Sequence, residues 1–402
     1  MLGSSAFAKA TADTAEALRR RAEGRSPSAK IGRVSRIAIV LQTPRDPHSS
    51  VYLTYQALAA ELTGRGHQAT ILTPNDFPGA RAGRWTPIVY PWTIARWLRR
   101  ERAALDVVVF HSFAGWLASA SRATRGLNVV VAFHGLEPLY HRQLRIDAER
   151  TGGLSARYRV LQEQLMPRFL RMACRDASRV TSLNAGEREF LIHAGWTAAA
   201  RIVTVAHGVR DEFFLGPRPA RPLRSLLFLA QWLPMKGIDA LRAAFIELAR
   251  RHEDLRLVCA GTLAPAADVL SAFPADVRLR VTVAPRVDQG ALIAMYRDAD
   301  AFVFPSSYEG FGLALVEAMA ARLPIVTTPV GVAADALTDR RNALFVPPRD
   351  SAAIVNAVET LIRDPTLRSD LGEAAGVAAG SYREADRVRE WADALTTIDR
   401  VS

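Results

Sequence analysis

Pro305-Ser-Ser-Tyr-Glu-Gly-Phe-Gly-Leu-Ala-Leu-Val-Glu317 sets two carboxylates, Glu309 and Glu317, eight residues apart across a turn that carries Gly310 and Gly312. The uniformly apolar run 301–304 before it reads as a buried strand, and 313–321 after it is a strong helix-forming run. The first amides of such a helix have no intrahelical partner and sit at the positive end of its dipole, so they suit an anion such as a diphosphate without any side chain. Glu309, before the turn, is placed to grip sugar hydroxyls, and Glu317, about a turn and a half into the helix, to grip a ribose. An ionised carboxylate offers only acceptors, which is what a diol requires. The competing reading is a strand-turn-helix of an ordinary α/β protein with two incidental glutamates.

The chain has 402 residues with 49% hydrophobic content, enough for two domains with sizeable cores. No apolar run reaches the roughly 18 to 20 residues of a membrane-spanning helix, and the N-terminus lacks a secretory apolar core. The expectation is a cytoplasmic protein. Cys174 and Cys259 lie far apart and outside any metal-ligand spacing, so both read as small buried hydrophobes. Residues 1–32, with Arg19 to Arg21 and many Ala and Ser, read as a loose tail or one frayed helix, with organelle targeting as an alternative.

Two similar halves flank Gly216-Pro-Arg-Pro-Ala-Arg-Pro222, whose three prolines forbid a regular helix and favour an extended connector. Apolar runs at 37–41, 69–72, 107–110, 129–133, 180–183 and 202–205 precede it; runs at 226–229, 255–260, 281–283, 301–304, 325–328 and 344–346 follow it. Strands so apolar are buried on both faces by crossover helices, the pattern of parallel, doubly wound sheets. The division expected is 33–215, a linker 216–224, 225–381, and a final segment 382–402 with a helix over 384–397. Ligands of such sheets sit at the carboxyl ends of the strands, so substrates from each half would meet in a cleft.

Glu309 and Glu317, with Phe311-Gly312-Leu313 between them, resemble the Glu-x7-Glu signature of family 4 of the retaining glycosyltransferases, a resemblance spanning about residues 35 to 400. It implies an α/β protein of the GT-B fold, with two Rossmann-like domains facing across a cleft and a final helix crossing back to the first. It also implies that Glu309 binds the donor sugar, Glu317 the nucleotide ribose, and the turn between them the sugar and phosphates. Lys236 is one of only three lysines among 52 basic residues, and Leu229-Ala-Gln-Trp-Leu-Pro-Met-Lys-Gly237 resembles the family's phosphate loop. A compact ammonium there would neutralise the diphosphate and stabilise the leaving-group oxygens. A lysine simply exposed in a loop is the alternative.

Several positions depart from the family pattern. Gln231 stands where the family usually has arginine, so one phosphate partner loses its charge; Arg286 and Arg322 are substitutes by motif neighbourhood. Arg322, Val332 and Asp335 replace a common glycine, a glycine and a glutamate. In the first half, Ser49-Ser50 replace a Gly-Gly pair that lets main-chain amides approach the donor. His134-Gly135 ends the fourth strand and resembles a family histidine lining the cleft beside the sugar; a structural role is the alternative. His111 and His207 receive no role, and His207-Gly208 reads as a turn before the linker. Asp298-Ala-Asp300 is rejected as a metal site because it precedes strand 301–304, on the side away from its carboxyl end. No metal and no cofactor are expected.

Charge is uneven: residues 1–215 carry net +13 and residues 216–402 net −1. Arg96, Arg99, Arg100 and Arg102 lie among Trp92, Ile94, Trp97 and Leu98; Arg157, Arg159, Arg168, Arg171 and Arg175 accompany Leu161, Leu165, Phe169 and Leu170. Such helices suit an anionic membrane surface or a lipid-linked acceptor, and solvated arginine faces are the alternative. No nucleic-acid motif accompanies the charge, so nucleic acid is not an expected partner. The resulting expectation is a transferase moving a sugar from a nucleoside-diphosphate sugar to an acceptor hydroxyl with retention, in cell-envelope, exopolysaccharide or glycolipid synthesis. A non-catalytic nucleotide- or polysaccharide-binding relative is the alternative from another class. An epimerase or phosphorylase on the same fold is a third, and the scarcity of lysine argues against the phosphorylase.

Overall fold

The computed structural model describes residues 34–46, 49–77, 80, 86–151, 153, 155 and 158–397; the tail expected over 1–32 lies outside them. Two six-stranded, wholly parallel sheets organise the chain, so the doubly wound α/β expectation holds. The first contains β1 (Arg36–Val40), β2 (Gln68–Leu72), β3 (Val107–His111), β4 (Asn128–Ala132), β5 (Arg179–Ser182) and β6 (Ile202–Thr204), in the order β2-β1-β3-β4-β5-β6. The second contains β7 (Ser225–Leu229), β8 (Arg256–Ala260), β9 (Val281–Ala284), β10 (Ala301–Phe304), β11 (Ile325–Thr327) and β12 (Leu344–Phe345), in the order β12-β11-β10-β7-β8-β9. Every apolar run coincides with a strand. The central β3 is buried along its whole length, whereas edge strand β2 is half exposed, because only one side of an edge has a neighbour.

The principal helices are α1 (Ser50–Gly64), α2 (Thr86–Glu101), α3 (Glu137–Thr151), α4 (Met166–Arg175), α5 (Ala185–His193), α6 (Ile238–Arg251), α7 (Leu313–Ala320), α8 (Pro365–Ala379) and α9 (Glu384–Thr396). α2 and α4 share one face of the first sheet, where Ile94, Leu98, Leu170 and Cys174 join its core. α9 lies on α1: Trp391, Ala392 and Leu395 share a core with Tyr55, Leu58 and Leu62, and Arg65 reaches Asp393 at 2.6 Å. The chain arrives there because the Glu384 amide donates to the Val209 carbonyl at 2.9 Å, and a Cβ on Gly208 would collide with the Glu384 backbone.

The proline-rich stretch runs between β6 and β7 and is fastened to the second half. Arg218 donates to the carbonyls of Tyr296, Arg297, Ala299 and Ala321, which burial of a guanidinium demands. Asp300 pairs with Arg221 and accepts the amides of Arg224 and Ser225 at 2.9 Å, so its carboxylate ties the entry of β7 to that of β10.

Candidate functional site

In the second sheet the strand order reverses between β7 and β10, the switch point where open parallel sheets bind ligands. Lys236 follows β7 and Glu309 follows β10, so topology alone brings residues 73 apart in sequence to one crevice. Gly237 makes the approach close: its φ is +75°, and a Cβ would run into the Pro305 carbonyl, while the Ser307 amide donates to the Met235 carbonyl at 2.7 Å. Lys236 Nζ then donates to Glu309 Oε1 at 2.7 Å, with side-chain exposures of 18% and 9%. Ser306 Oγ donates to the same oxygen at 2.7 Å.

Behind Glu309, Gly312 at φ +99° starts α7 with no side-chain cap on its first amides. Phe311 is buried between His207 and Tyr382, and its carbonyl accepts the Val332 amide at 2.7 Å, which holds the turn rigid. Leu313, the first helical residue, packs as a half-buried side chain. On the next turns Glu317 is buried; Tyr296, itself fully buried, donates to Glu317 Oε2 at 2.8 Å and to the Ala314 carbonyl at 2.9 Å. Burial pushes the Glu317 carboxyl up to about 7, opposed by the Tyr296 hydrogen bond and by Arg210.

Other expected residues lie differently. Gln231 and Arg286 are exposed, on the loops after β7 and β9, and Gln231's carbonyl closes a turn to the Leu233 amide. Arg322 does not reach the crevice: it sits past the end of α7 at φ +55°, paired with Glu373, so it is no substitute for the missing arginine. Ser49 caps α1, accepting from the Tyr52 amide at 3.5 Å, and Ser50 is the first residue of that helix. His134 stands at the end of β4, but its ring turns back among Tyr55, His111, His207 and Trp391, with neither nitrogen open to solvent. Burial depresses the three imidazoles, His111 and His207 to about 4, so the cluster is neutral near pH 7. What His134 brings to the crevice is its backbone.

That backbone meets the second half. Gly135 and Gly310 touch, such that a Cβ on Gly310 would stand 2.7 Å from the Gly135 Cα. Tyr308 donates to the Leu136 carbonyl at 3.2 Å, Asn184 to the Gly310 carbonyl at 2.5 Å, and the Ala185 amide to Asp335 at 2.9 Å. Glu187 braces the first-half side by accepting the amides of Leu136 and Leu183, both at 2.9 Å. Sequence reasoning passed over Tyr296, Tyr308, Asn184 and Glu187. The spacing Asn184 to Glu187 is an N-terminal capping pattern that could have drawn attention to α5; nothing in sequence links Tyr296 to Glu317. Among the described residues no group of three His, Cys, Asp or Glu side chains is arranged to hold a metal.

The arrangement offers a cation and bare helix amides for a diphosphate, and two carboxylates flanking them for hydroxyls. Residues 218–376 match the family described as Glycosyl transferases group 1, and residues 54–213 match Glycosyltransferase Family 4. D-inositol 3-phosphate glycosyltransferase of Frankia alni is 34% identical over 227 residues, 51% of this chain and 55% of that protein; the chain spans about half the length of the curated relatives it matches. Among solved structures, sucrose-phosphate synthase from Thermosynechococcus elongatus superposes with a TM-score of 0.70 at 18% identity, covering 89% of this chain and 97% of that one. HepE of Anabaena, in complex with UDP and glucose, gives 0.65 at 15% identity, covering 90% and 99%. The fold is therefore GT-B, and with both halves matched the chain belongs to the group 1, family 4 glycosyltransferases.

Proposed function

We propose that the chain is a retaining glycosyltransferase that moves a sugar from a nucleoside-diphosphate sugar to an acceptor hydroxyl. The observation that carries this reading is the Lys236–Glu309 ion pair in front of the uncapped start of α7. A donor diphosphate lying on the helix amides takes Lys236 as its counter-charge, which releases Glu309 to the sugar hydroxyls, while Glu317 accepts from the ribose. As the bond from the anomeric carbon to the phosphate oxygen breaks, Lys236 and the amides hold the charge that develops on the leaving group. The acceptor oxygen bonds to the same face, and its proton passes to the departing phosphate, so atoms and charge balance without a protein nucleophile. We assign the diphosphate charge to these groups rather than to a metal. Calorimetry against UDP-, GDP- and ADP-sugars without added metal tests the reading. Selective binding of one donor, lost in Lys236→Met, is expected; binding of none would favour a non-catalytic relative.

A second observation favours work at an anionic membrane, on its inner face, in envelope or glycolipid synthesis. α2 and α4 lie on one face of the first half and expose Arg96, Arg99, Arg100, Arg168, Arg171 and Arg175, with Trp92 51% exposed beside Arg96. Arginines with an amphipathic aromatic suit anionic headgroups. No described helix is long and apolar enough to cross a membrane. Flotation with phosphatidylglycerol vesicles but not phosphatidylcholine vesicles is expected, and Arg168→Glu/Arg171→Glu should abolish it. Equal flotation with both would sink the proposal.

A further inference from the structure

The ends of β1, β3 and β4, three neighbours in the first sheet, gather polar side chains that the donor site does not use. Gln42 and Thr43 follow β1, Ser112 follows β3, and Glu137 follows β4 by way of His134-Gly135. The order β2-β1-β3 makes the gap between β1 and β3 the switch point of this sheet, the counterpart of the β7–β10 crevice. Ser112 is buried and lies in the left-handed region at φ +55°, a strained conformation for a non-glycine residue. Its Oγ donates to Glu137 Oε1, and the Gln42 side chain supports the same carboxylate.

The other carboxylate oxygen, Glu137 Oε2, is shut off from solvent and has no partner, as are Gln42 Oε1 and Thr43 Oγ1. Glu187 supplies the contrast. It is buried and spends both oxygens on the Leu136 and Leu183 amides, as a structural carboxylate should. A buried acceptor without a donor is costly, more so if charged, and a ligand hydroxyl would relieve that cost at Glu137. Burial also lifts the Glu137 carboxyl above its ordinary range, opposed by the bonds from Ser112, from its own backbone amide and from Gln42. A more basic carboxylate is a better partner for a hydroxyl proton.

Resting on the transferase reading, the geometry points to Glu137, aimed by Ser112 and Gln42, as the residue that receives a hydroxyl of a neutral, hydroxyl-bearing acceptor, a sugar or polyol, through Oε2. Glu137 Oε2 and Gln42 Oε1 accept from hydroxyls, Thr43 Oγ1 can accept or donate, and the carboxylate repels phosphate or another carboxylate. The subsite adjoins the donor crevice: Gly135, two residues before Glu137, touches Gly310, the residue after Glu309. Tyr308, which bridges the halves through Leu136, holds its proton above the ordinary phenol range because of burial and the nearby carboxylates of Glu187, Glu137 and Glu309.

The test titrates the full chain, saturated with whichever of UDP, GDP and ADP binds, with myo-inositol, methyl α-glucoside and glycerol, and with inorganic phosphate as the anionic probe. At least one neutral polyol is expected to bind wild type. Glu137→Ala should weaken it about tenfold or more, as loss of one charge-assisted hydrogen bond does, and Glu137→Gln less. Nucleotide affinity should not change in either variant, and phosphate should not displace the polyol. Equal polyol affinity in Glu137→Ala, or no neutral polyol bound to the loaded wild type, would overturn the assignment; failure of every nucleotide to bind would instead overturn the transferase reading. If Glu137→Ala melts early, Ser112→Ala keeps the carboxylate but removes its aim. It should weaken the polyol about threefold, and an unchanged affinity would count against the proposal.

Discussion

Lys236 and Glu309 hold each other in place through a 2.7 Å ion pair. Each is largely buried, so removing one leaves the other charge without a partner in a poorly solvated site, which typically costs about 3 to 5 kcal/mol. Lys236→Met should therefore lower turnover by roughly two to three orders of magnitude and also lower the melting temperature. Adding Glu309→Ala should restore melting but not activity, and a double variant as unstable as the single would show that the pair is not what holds the crevice. Glu317 follows a different rule. Its carboxyl ionises near 4.5 in the unfolded chain and near 7 when folded, so between those pH values the folded state keeps a proton that the unfolded state has released. Stability attributable to Glu317 thus falls as pH rises from about 4.5 to about 7, by about 3 kcal/mol at most. Glu317→Gln should melt higher than wild type at pH 8, match it at pH 4, and bind nucleotide about tenfold more weakly for want of charge. A melting difference that is the same at both pH values would show that the carboxyl does not titrate there.

Loops and helix ends, more than side-chain chemistry, decide where these groups stand. The loop after β7 reaches Pro305 only because Gly237 has no Cβ and adopts a left-handed φ. Gly237→Ala should push Lys236 away from Glu309 while leaving α6 and the core intact. The expected result is a fall in kcat of about tenfold or more together with a lower melting temperature, since the added Cβ collides with the Pro305 backbone and displaces the cation. Unchanged kcat, measured against the preferred donor, would mean that the ion pair tolerates displacement. Gln231 on the same loop is exposed, and Arg322 is committed to Glu373, so the missing arginine has no replacement from the position expected of Arg322. Arg286, exposed after β9, stays a proposed donor contact to be tested in the same assay.

The two sheets meet through backbone at Gly135 and Gly310 and are latched at their rim by Arg349 of the second half and Asp147 of α3. Glycine at both positions is what permits the contact. Gly310→Ala should hold the halves apart, so that nucleotide binding to the second half survives while transfer between substrates drops by about tenfold or more. Small-angle scattering should then show a larger radius of gyration than wild type. An unchanged radius with full activity would mean that the Gly135–Gly310 contact is not needed for turnover. The crossing of α9 onto α1 ties the chain's last helix to the first sheet, so the chain passes between the two halves twice, near residues 205–216 and near 380–384.

Twelve apolar runs and the three prolines between them were enough to read the strands and their parallel arrangement, because burial on both faces leaves a local mark in sequence; Lys236, Glu309 and Glu317 were singled out by resemblance to a family pattern. Strand order, and with it the two switch crevices, leaves no such mark, since it depends on which strands pair across long separations. The same holds for Tyr296 on Glu317, for Glu187 under Leu136, and for the turning of the His134 ring into an aromatic cluster, each a contact between residues far apart in the chain. Composition told how many strands would be buried; only tertiary packing decided which polar groups they bring together, and which of those, such as Glu137, are left with an oxygen to offer.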